Sequence, residues 1–120
     1  MNYSKNVSEP GFSLISKGFK TVEGRLNKGD FKEMKVGDNV EWNCGERKVS
    51  TRIVAIKQYP SFKKYLESEG LEKTLPFIVV NINQGLDVYY QYYSKEDEKE
   101  FGVLAIQDRK STRLNSSHGY

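Results

Sequence analysis

The chain has 120 residues, of which 37% are hydrophobic and 29% are charged, and this length suits one compact domain with a modest core. Its single cysteine excludes an internal disulfide, and it has no apolar run of about 18 residues that would predict a membrane-spanning helix. We therefore expect a soluble, cytoplasmic protein.

The C-terminal residues 108–120 change how the charge is interpreted. Their sequence, DRKSTRLNSSHGY, resembles one reading frame of a common DNA-sequencing adapter, so we interpret them as a non-native tail. Removing this tail takes away three of the 19 basic and one of the 16 acidic residues, and the net charge falls from +3 to +1. Overall charge then gives little support to nucleic-acid binding, so that function would depend on a local patch.

The same tail contains the only histidine, His118, so residues 1–107 have no imidazole for general-base or metal chemistry. With one cysteine and no carboxylates at EF-hand spacing, we expect neither a metal nor a cofactor. Cys44 lies in a turn-like sequence and is expected to be an exposed, inert thiol.

The N-terminal part of the chain leads into a charged strand. Residues 1–8 are polar and expected to be flexible, so we place the domain at residues 9–107. A short helix is predicted over residues 9–17, because Phe12 and Ile15 are three residues apart.

The strand predicted over residues 21–26 begins a convergent site of mixed charge. At a period of two, Thr21, Glu23 and Arg25 share one face, with Glu23 and Arg25 about 6.6 Å apart along the strand. Lys20 comes just before the strand and can reach the same side as Glu23.

Strand signals dominate the middle of the chain. Residues 27–35 have little apolar content and predict a loop, and residues 39–43 predict a strand with Trp42 in the core. Residues 47–59 predict a long strand, within which the apolar phase changes. Such a change indicates a bulge at which a sheet curls towards a barrel.

Helix signals follow. Ser61 is suited to cap a helix, residues 71–75 predict a further helical turn, and residues 77–82 are interpreted as a connecting segment. Residues 86–93 have apolar and aromatic side chains at helical spacing, and residues 103–106 predict a closing strand. A capping signal at residues 94–97 starts one more helical turn before that strand.

Four tyrosines lie within residues 89–93. Three of them recur with Leu86 at helical spacing, which is typical of a packed face. Tyrosine rings also serve as stacking surfaces for bases, and Tyr92 lies off the packed stripe. Both interpretations stay open.

The eight residues from Gly18 to Arg25 have the pattern G-x-K-x-x-E-x-R, which resembles the signature of the ASCH (activating-signal-cointegrator homology) domains. The likeness continues in residues 36–38 (VGD), residues 59–62 (YPSF) and the closing run to residue 106. This resemblance implies an α+β fold: a PUA-like small β-barrel with flanking short helices.

Three functions are compatible with these residues. In the first, Lys20 and Arg25 hold a phosphate or a base edge while Glu23 orients them and Thr21 borders the site. The PUA-like resemblance implies RNA, and single-stranded or modified bases, as the partner. The domain would then bind RNA or a modified nucleoside.

The second function is enzymatic. Some ASCH proteins are amidohydrolases that deacetylate N4-acetylcytidine, and the resemblance implies catalytic roles for Lys20 and Glu23. In that branch, however, the position of Glu23 carries a threonine nucleophile. Thr21 lies two residues earlier, and Glu67 or Glu69 would have to supply a further acidic group. A carboxylate beside Lys20 would also raise the pKa of the lysine and weaken it as a base.

In the third possible function, the domain acts through protein partners. Lys20, Glu23 and Arg25 then form an ion-pair network that closes one end of the barrel. Exposed ion pairs contribute only about 0 to 1 kcal/mol each, which is a weak reason for so tight a cluster.

Overall fold

The computed structural model describes residues 1–111. Within them, five strands form one sheet: β1 (Asn2–Asn6), β2 (Val22–Leu26), β3 (Asn39–Cys44), β4 (Arg47–Tyr59) and β5 (Val103–Lys110). The order across the sheet is β1-β3-β4-β5-β2, with β1 parallel to β3 and the other pairs antiparallel. The sheet is curled into a half-barrel, so β1 and β2 are its two edges. We call the opening between these edge strands the seam.

Six helices accompany the sheet in the described residues: α1 (Gly11–Ser16), α2 (Gly29–Glu33), α3 (Phe62–Glu69), α4 (Leu71–Thr74), α5 (Ile82–Tyr90) and α6 (Lys95–Phe101). The predicted α+β class and the predicted curled sheet are confirmed. None of these helices has the length and apolar character needed to cross a bilayer.

Apolar side chains cover both faces of the sheet. The inner cluster surrounds Trp42 and includes Ile53, Leu104 and Ile106, so the prediction of Trp42 as a core residue is confirmed. The outer cluster packs the aromatic residues of α3 and α5 against β2 and β5. Because Glu23 lies opposite Ile106 in the β2–β5 register, its side chain belongs to the inner face.

Local signals in the sequence predict several details correctly. The β4–β5 register shifts between Ile53 and Ala55, at the place where the apolar phase of the strand changes. Ser61 and Ser94 both accept a bond from the backbone three residues later, and so cap α3 and α6.

Other predictions are wrong. Asn2–Asn6 is not flexible but forms β1, whose backbone is bonded in register with β3. Gly29–Glu33 is a short helix, not a loop. Cys44 ends β3 and is half-buried, with its Sγ 3.3 Å from a guanidinium nitrogen of Arg47. For β1, pairing with a distant strand decides a structure that local polarity does not reveal.

The proposed tail also begins inside the fold. Asp108 is buried and continues β5, which runs to Lys110. The non-native origin of residues 108–120 stays a prediction. Residues 112–120 and the histidine among them lie outside the described residues.

Candidate ligand site at the sheet seam

Three charged side chains meet at the start of β2. A carboxylate oxygen of Glu23 lies 3.1 Å from Lys20 Nζ, and its other oxygen lies 2.9 Å from Arg25 Nη2. Gly18, with φ of 82°, turns the chain just before Lys20. The structure therefore brings together Lys20, Glu23 and Arg25 as the spacing predicts.

The surroundings fix each cation. The Lys20 ammonium also donates to the carbonyl of Thr74 at the end of α4. The Arg25 guanidinium lies 4.9 Å from the ring centroid of Phe31 and 5.6 Å from that of Trp42, which is cation–π geometry. The site is thus built from α2, α4 and the inner core as well as from β2.

Burial and pairing act in opposite directions on the ionisation of this trio. Burial lowers the pKa of Lys20, but the Glu23 carboxylate outweighs it and the net pKa is raised. Burial raises the pKa of Glu23, yet the charges of Lys20 and Arg25 outweigh it and the net pKa is lowered. At Arg25 burial is again the largest single effect and lowers the pKa, but Glu23 and the nearby Tyr93 and Tyr89 together outweigh it and the net pKa is raised. All three groups are therefore charged at neutral pH.

These charge states bear on the chemistry. A general base must be unprotonated at the working pH so that it can accept a proton. Lys20 is instead held as an ammonium. An ammonium has three N–H donors, and among the described residues Lys20 directs bonds to Glu23 and Thr74. One donor is thus left for a ligand, and the trio is better suited to recognition than to proton transfer.

A cavity of about 270 Å³ opens at the seam beside the trio, and we call it the seam cavity. Its lining includes Lys20, Glu23 and Arg25 on one side and the segment 6–11 on the other. Leu75 and Ile78 add apolar surface. The combination of apolar walls with a few convergent polar groups is typical of small-molecule sites.

Three tyrosines complete the lining: Tyr89, Tyr92 and Tyr93. Tyr89 is buried against Phe62, with ring centroids 4.6 Å apart, so its packing role is real. Tyr92 is exposed at the cavity mouth. Packing thus accounts for Tyr89, whereas base stacking by the exposed Tyr92 stays a prediction. Helical spacing alone does not show that Tyr89 also reaches the charged trio.

Gly24 explains how Tyr89 is positioned. A side chain at Gly24 would place its Cβ 2.6 Å from the ring of Tyr65, which therefore lies close against β2. The Tyr65 hydroxyl in turn lies 3.1 Å from the hydroxyl of Tyr89. The missing side chain at Gly24 lets α3 and α5 approach the strand that bears the charges.

The other predicted site residues lie elsewhere. Thr21 lines a second, smaller cavity of about 160 Å³ instead of the seam cavity. Glu67 lies near Lys64 on the exposed side of α3, and Glu69 accepts a hydrogen bond from Tyr59. None of these three residues lines the seam cavity, so the structure does not bring Glu67 or Glu69 to the charged trio.

The described residues contain no group of three or more His, Cys, Asp or Glu side chains arranged to hold a metal ion. The ionisable groups that line the seam cavity are instead two cations, Lys20 and Arg25, two carboxylates, Glu9 and Glu23, and three tyrosines. This set suits an organic ligand with both donor and acceptor groups.

Comparison with known families agrees with the geometry. A model of the ASCH domain matches residues 6–111. The chain belongs to the ASCH domain family. The matched span includes the charged trio, the segment that borders the seam cavity and the tyrosine run.

Two solved structures resemble this ASCH domain over nearly their whole length. The crystal structure of the hypothetical protein PH0355 has a TM-score of 0.86 and 36% sequence identity, covering 92% of this chain and 100% of that one. The solution structure of protein PF0455 from Pyrococcus furiosus has a TM-score of 0.77 and 36% identity, covering 92% and 97% of the two chains. A search of curated proteins finds no match to the chain.

Proposed function

We propose that this ASCH domain binds single-stranded RNA or a modified nucleoside by taking one base into the seam cavity. The observation that carries the proposal is the charged trio buried against a tyrosine-lined cavity. The carboxylate of Glu23 accepts hydrogen bonds, and Lys20 and Arg25 donate them, so together they complement the mixed donor and acceptor edge of a base. Lys20 and Arg25 can also donate to a phosphate, although Glu9 in the same lining balances the net charge of about +1 on the trio, so the phosphate would be held by these donors and not by an excess of positive charge.

The form of the cavity favours an unpaired base. Proteins that read RNA sequence mostly bind splayed bases from single strands, stacking them on aromatic side chains and bonding their edges. Tyr92 and Tyr93 offer such rings at the cavity, and the volume of about 270 Å³ is near the lower end of small-molecule sites. A duplex would keep its bases stacked outside a pocket of this size.

A binding assay tests the proposal. We expect a fluorescently labelled single-stranded RNA to bind with an anisotropy change that weakens as salt rises, and to bind more tightly than the same sequence as a duplex. Lys20→Met removes the charge but keeps the aliphatic stem, and it should weaken binding by about 10- to 150-fold, since a lost charge-assisted hydrogen bond is worth roughly 1.5 to 3 kcal/mol. Thermal melting checks that this variant is folded.

Lys64→Met is the matched control, because Lys64 is an exposed lysine of α3 that does not line the seam cavity. Equal affinity of the wild type and Lys20→Met, or salt-independent binding, would contradict the proposal. Incubation with N4-acetylcytidine belongs in the same experiment. Conversion to cytidine would show an amidohydrolase instead, whereas we expect the nucleoside to be unchanged. The cytoplasmic location stays a prediction.

A further inference from the structure

Two phenylalanines are exposed beside the seam cavity. Phe19 is 50% exposed and Phe77 is 83% exposed, and their ring centroids lie 5.2 Å apart at an interplanar angle of 88°. Scattered exposed apolar residues are common, but a pair of solvent-facing aromatic rings in contact is not. The pair contributes little to either core cluster, so its position calls for another explanation.

The backbone places this pair directly beside residues that line the seam cavity. Phe19 directly precedes Lys20, and Phe77 directly precedes Ile78, and both of these neighbours line the seam cavity. The amide of Thr21 donates to the carbonyl of Lys73 at 3.1 Å, which ties the two segments together. The rings are therefore fixed next to the cavity by ordered backbone.

Phe77 also has an unfavourable backbone conformation. Its φ is 64°, the left-handed region that Gly and Asn adopt at low cost and that a bulky side chain rarely occupies. Burial does not compensate for this, because the ring is mostly in solvent. A strained residue whose side chain does not stabilise the fold points to a role in binding.

We propose that Phe19 and Phe77 form a stacking platform for the base that flanks the one in the seam cavity. This inference rests on the proposed RNA-binding function and deepens it: the ligand is a single strand of at least two nucleotides and not a free nucleoside. An aromatic face accepts any base, so the platform adds affinity without adding sequence preference.

The size of the platform favours a base over a protein partner. A specific protein interface buries about 800 Å² on each side, far more than two side chains supply. Proximity to the cavity is the second argument, since each phenylalanine directly precedes a residue that lines the seam cavity and the same lining includes the exposed Tyr92. A strand that enters the cavity can thus pass its next base to the platform.

The test compares ligands of different length on the full chain. Cytidine monophosphate probes the cavity alone, and a cytidine trinucleotide probes the cavity and the platform. Phe77→Asn removes the ring while suiting the left-handed backbone, and Phe19→Ala removes the other ring. We expect each variant to lose about 5- to 150-fold in affinity for the trinucleotide and to bind the monophosphate within twofold of the wild type.

Val80→Ala is the control, because Val80 is also apolar and 83% exposed but neither lines the seam cavity nor belongs to the pair. If the wild type binds both ligands and Phe77→Asn binds the trinucleotide unchanged, the platform is refuted and the RNA-binding proposal survives. If Val80→Ala weakens trinucleotide binding as much, the loss is not specific to the aromatic pair and the platform is refuted. If the wild type binds neither ligand, both proposals fail.

Discussion

Glu23 and Asp108 are two carboxylates on adjacent strands with nearly equal burial, 7% and 5% exposed, but with opposite partners. Glu23 lies between two cations at 3.1 and 2.9 Å. Asp108 accepts hydrogen bonds from two neutral groups, the Thr51 hydroxyl at 2.6 Å and the Trp42 indole at 3.2 Å. The two sites differ in the charge of their partners and not in their depth.

Their ionisation differs accordingly. Burial raises the pKa of both carboxyl groups, but at Glu23 the two cations reverse the effect and the pKa ends below its usual value. At Asp108 the two hydrogen bonds offset burial only in part, and the nearby Glu23 charge adds to it, so the pKa rises to about 6. Burial alone therefore does not predict the charge of an inner carboxyl group here; its partners do.

Glu23→Gln should have the largest effect. It leaves Lys20 and Arg25 buried without their counter-charge, and breaking a buried ion pair by removing one partner costs about 3 to 5 kcal/mol. We expect the free energy of unfolding, measured by urea denaturation, to fall by that amount. Glu41→Gln is the matched control, since the exposed Glu41–Lys48 pair should contribute no more than about 1 kcal/mol. Similar losses in the two variants would show that the trio is no stronger than a surface pair.

The second largest effect is expected in the pH dependence of stability, which should have opposite signs for Asp108 and Glu23. Because the folded pKa of Asp108 is raised from 3.8 to about 6, the folded protein binds this proton more tightly than the unfolded chain. This contribution is fully present below pH 3.8 and is lost as pH rises through about 6, a change of about 3 kcal/mol. Glu23 has the opposite sign: its lowered pKa stabilises the fold above pH 4.5, and this is lost on acidification.

Urea midpoints measured from pH 3 to pH 8 check this expectation. Subtracting the profile of Asp108→Asn from that of the wild type isolates the contribution of Asp108. The difference should change between pH 4 and pH 7. A flat difference would mean that Asp108 titrates at its ordinary pKa.

The smallest effect is expected for Asp108→Asn at pH 7.5. The amide oxygen of Asn can accept the bonds from Thr51 and Trp42, and the substitution removes a buried negative charge close to Glu23. We expect the free energy of unfolding to stay equal or to rise by about 1 kcal/mol, in contrast to Glu23→Gln. Thermal unfolding at fixed buffer provides the measurement. A loss above about 2 kcal/mol would show that the ionised carboxylate stabilises the fold.

Much of this fold follows from local signals in the sequence. The caps at Ser61 and Ser94, the bulge in β4 and the turn at Gly18 all depend on residues within a few positions of one another. The ion pairs of the candidate site are predictable for the same reason, because strand geometry alone brings Glu23 and Arg25 within reach. Lys20, only three residues from Glu23, completes them.

Other features required the tertiary structure. Strand β1 pairs with a strand 37 positions later, and a short polar segment has no local property that reveals such a partner. Thr21 shows that a local pattern can also mislead. Its spacing from Glu23 predicts the same strand face, but β2 begins only at Val22 and Thr21 lines a different cavity.

The sequence by itself indicated the charged trio and the family, because motif spacing and side-chain periodicity are properties of neighbouring residues, and the family resemblance in turn implied the fold class. Only the tertiary structure decided what the trio faces. Thr74 reaches Lys20 across 54 positions, the tyrosines of the 89–93 run come to the seam through the packing of α3 and α5, and Phe77 comes to lie against Phe19. These contacts depend on how the sheet curls and which elements cover it, and no short stretch of sequence contains that information.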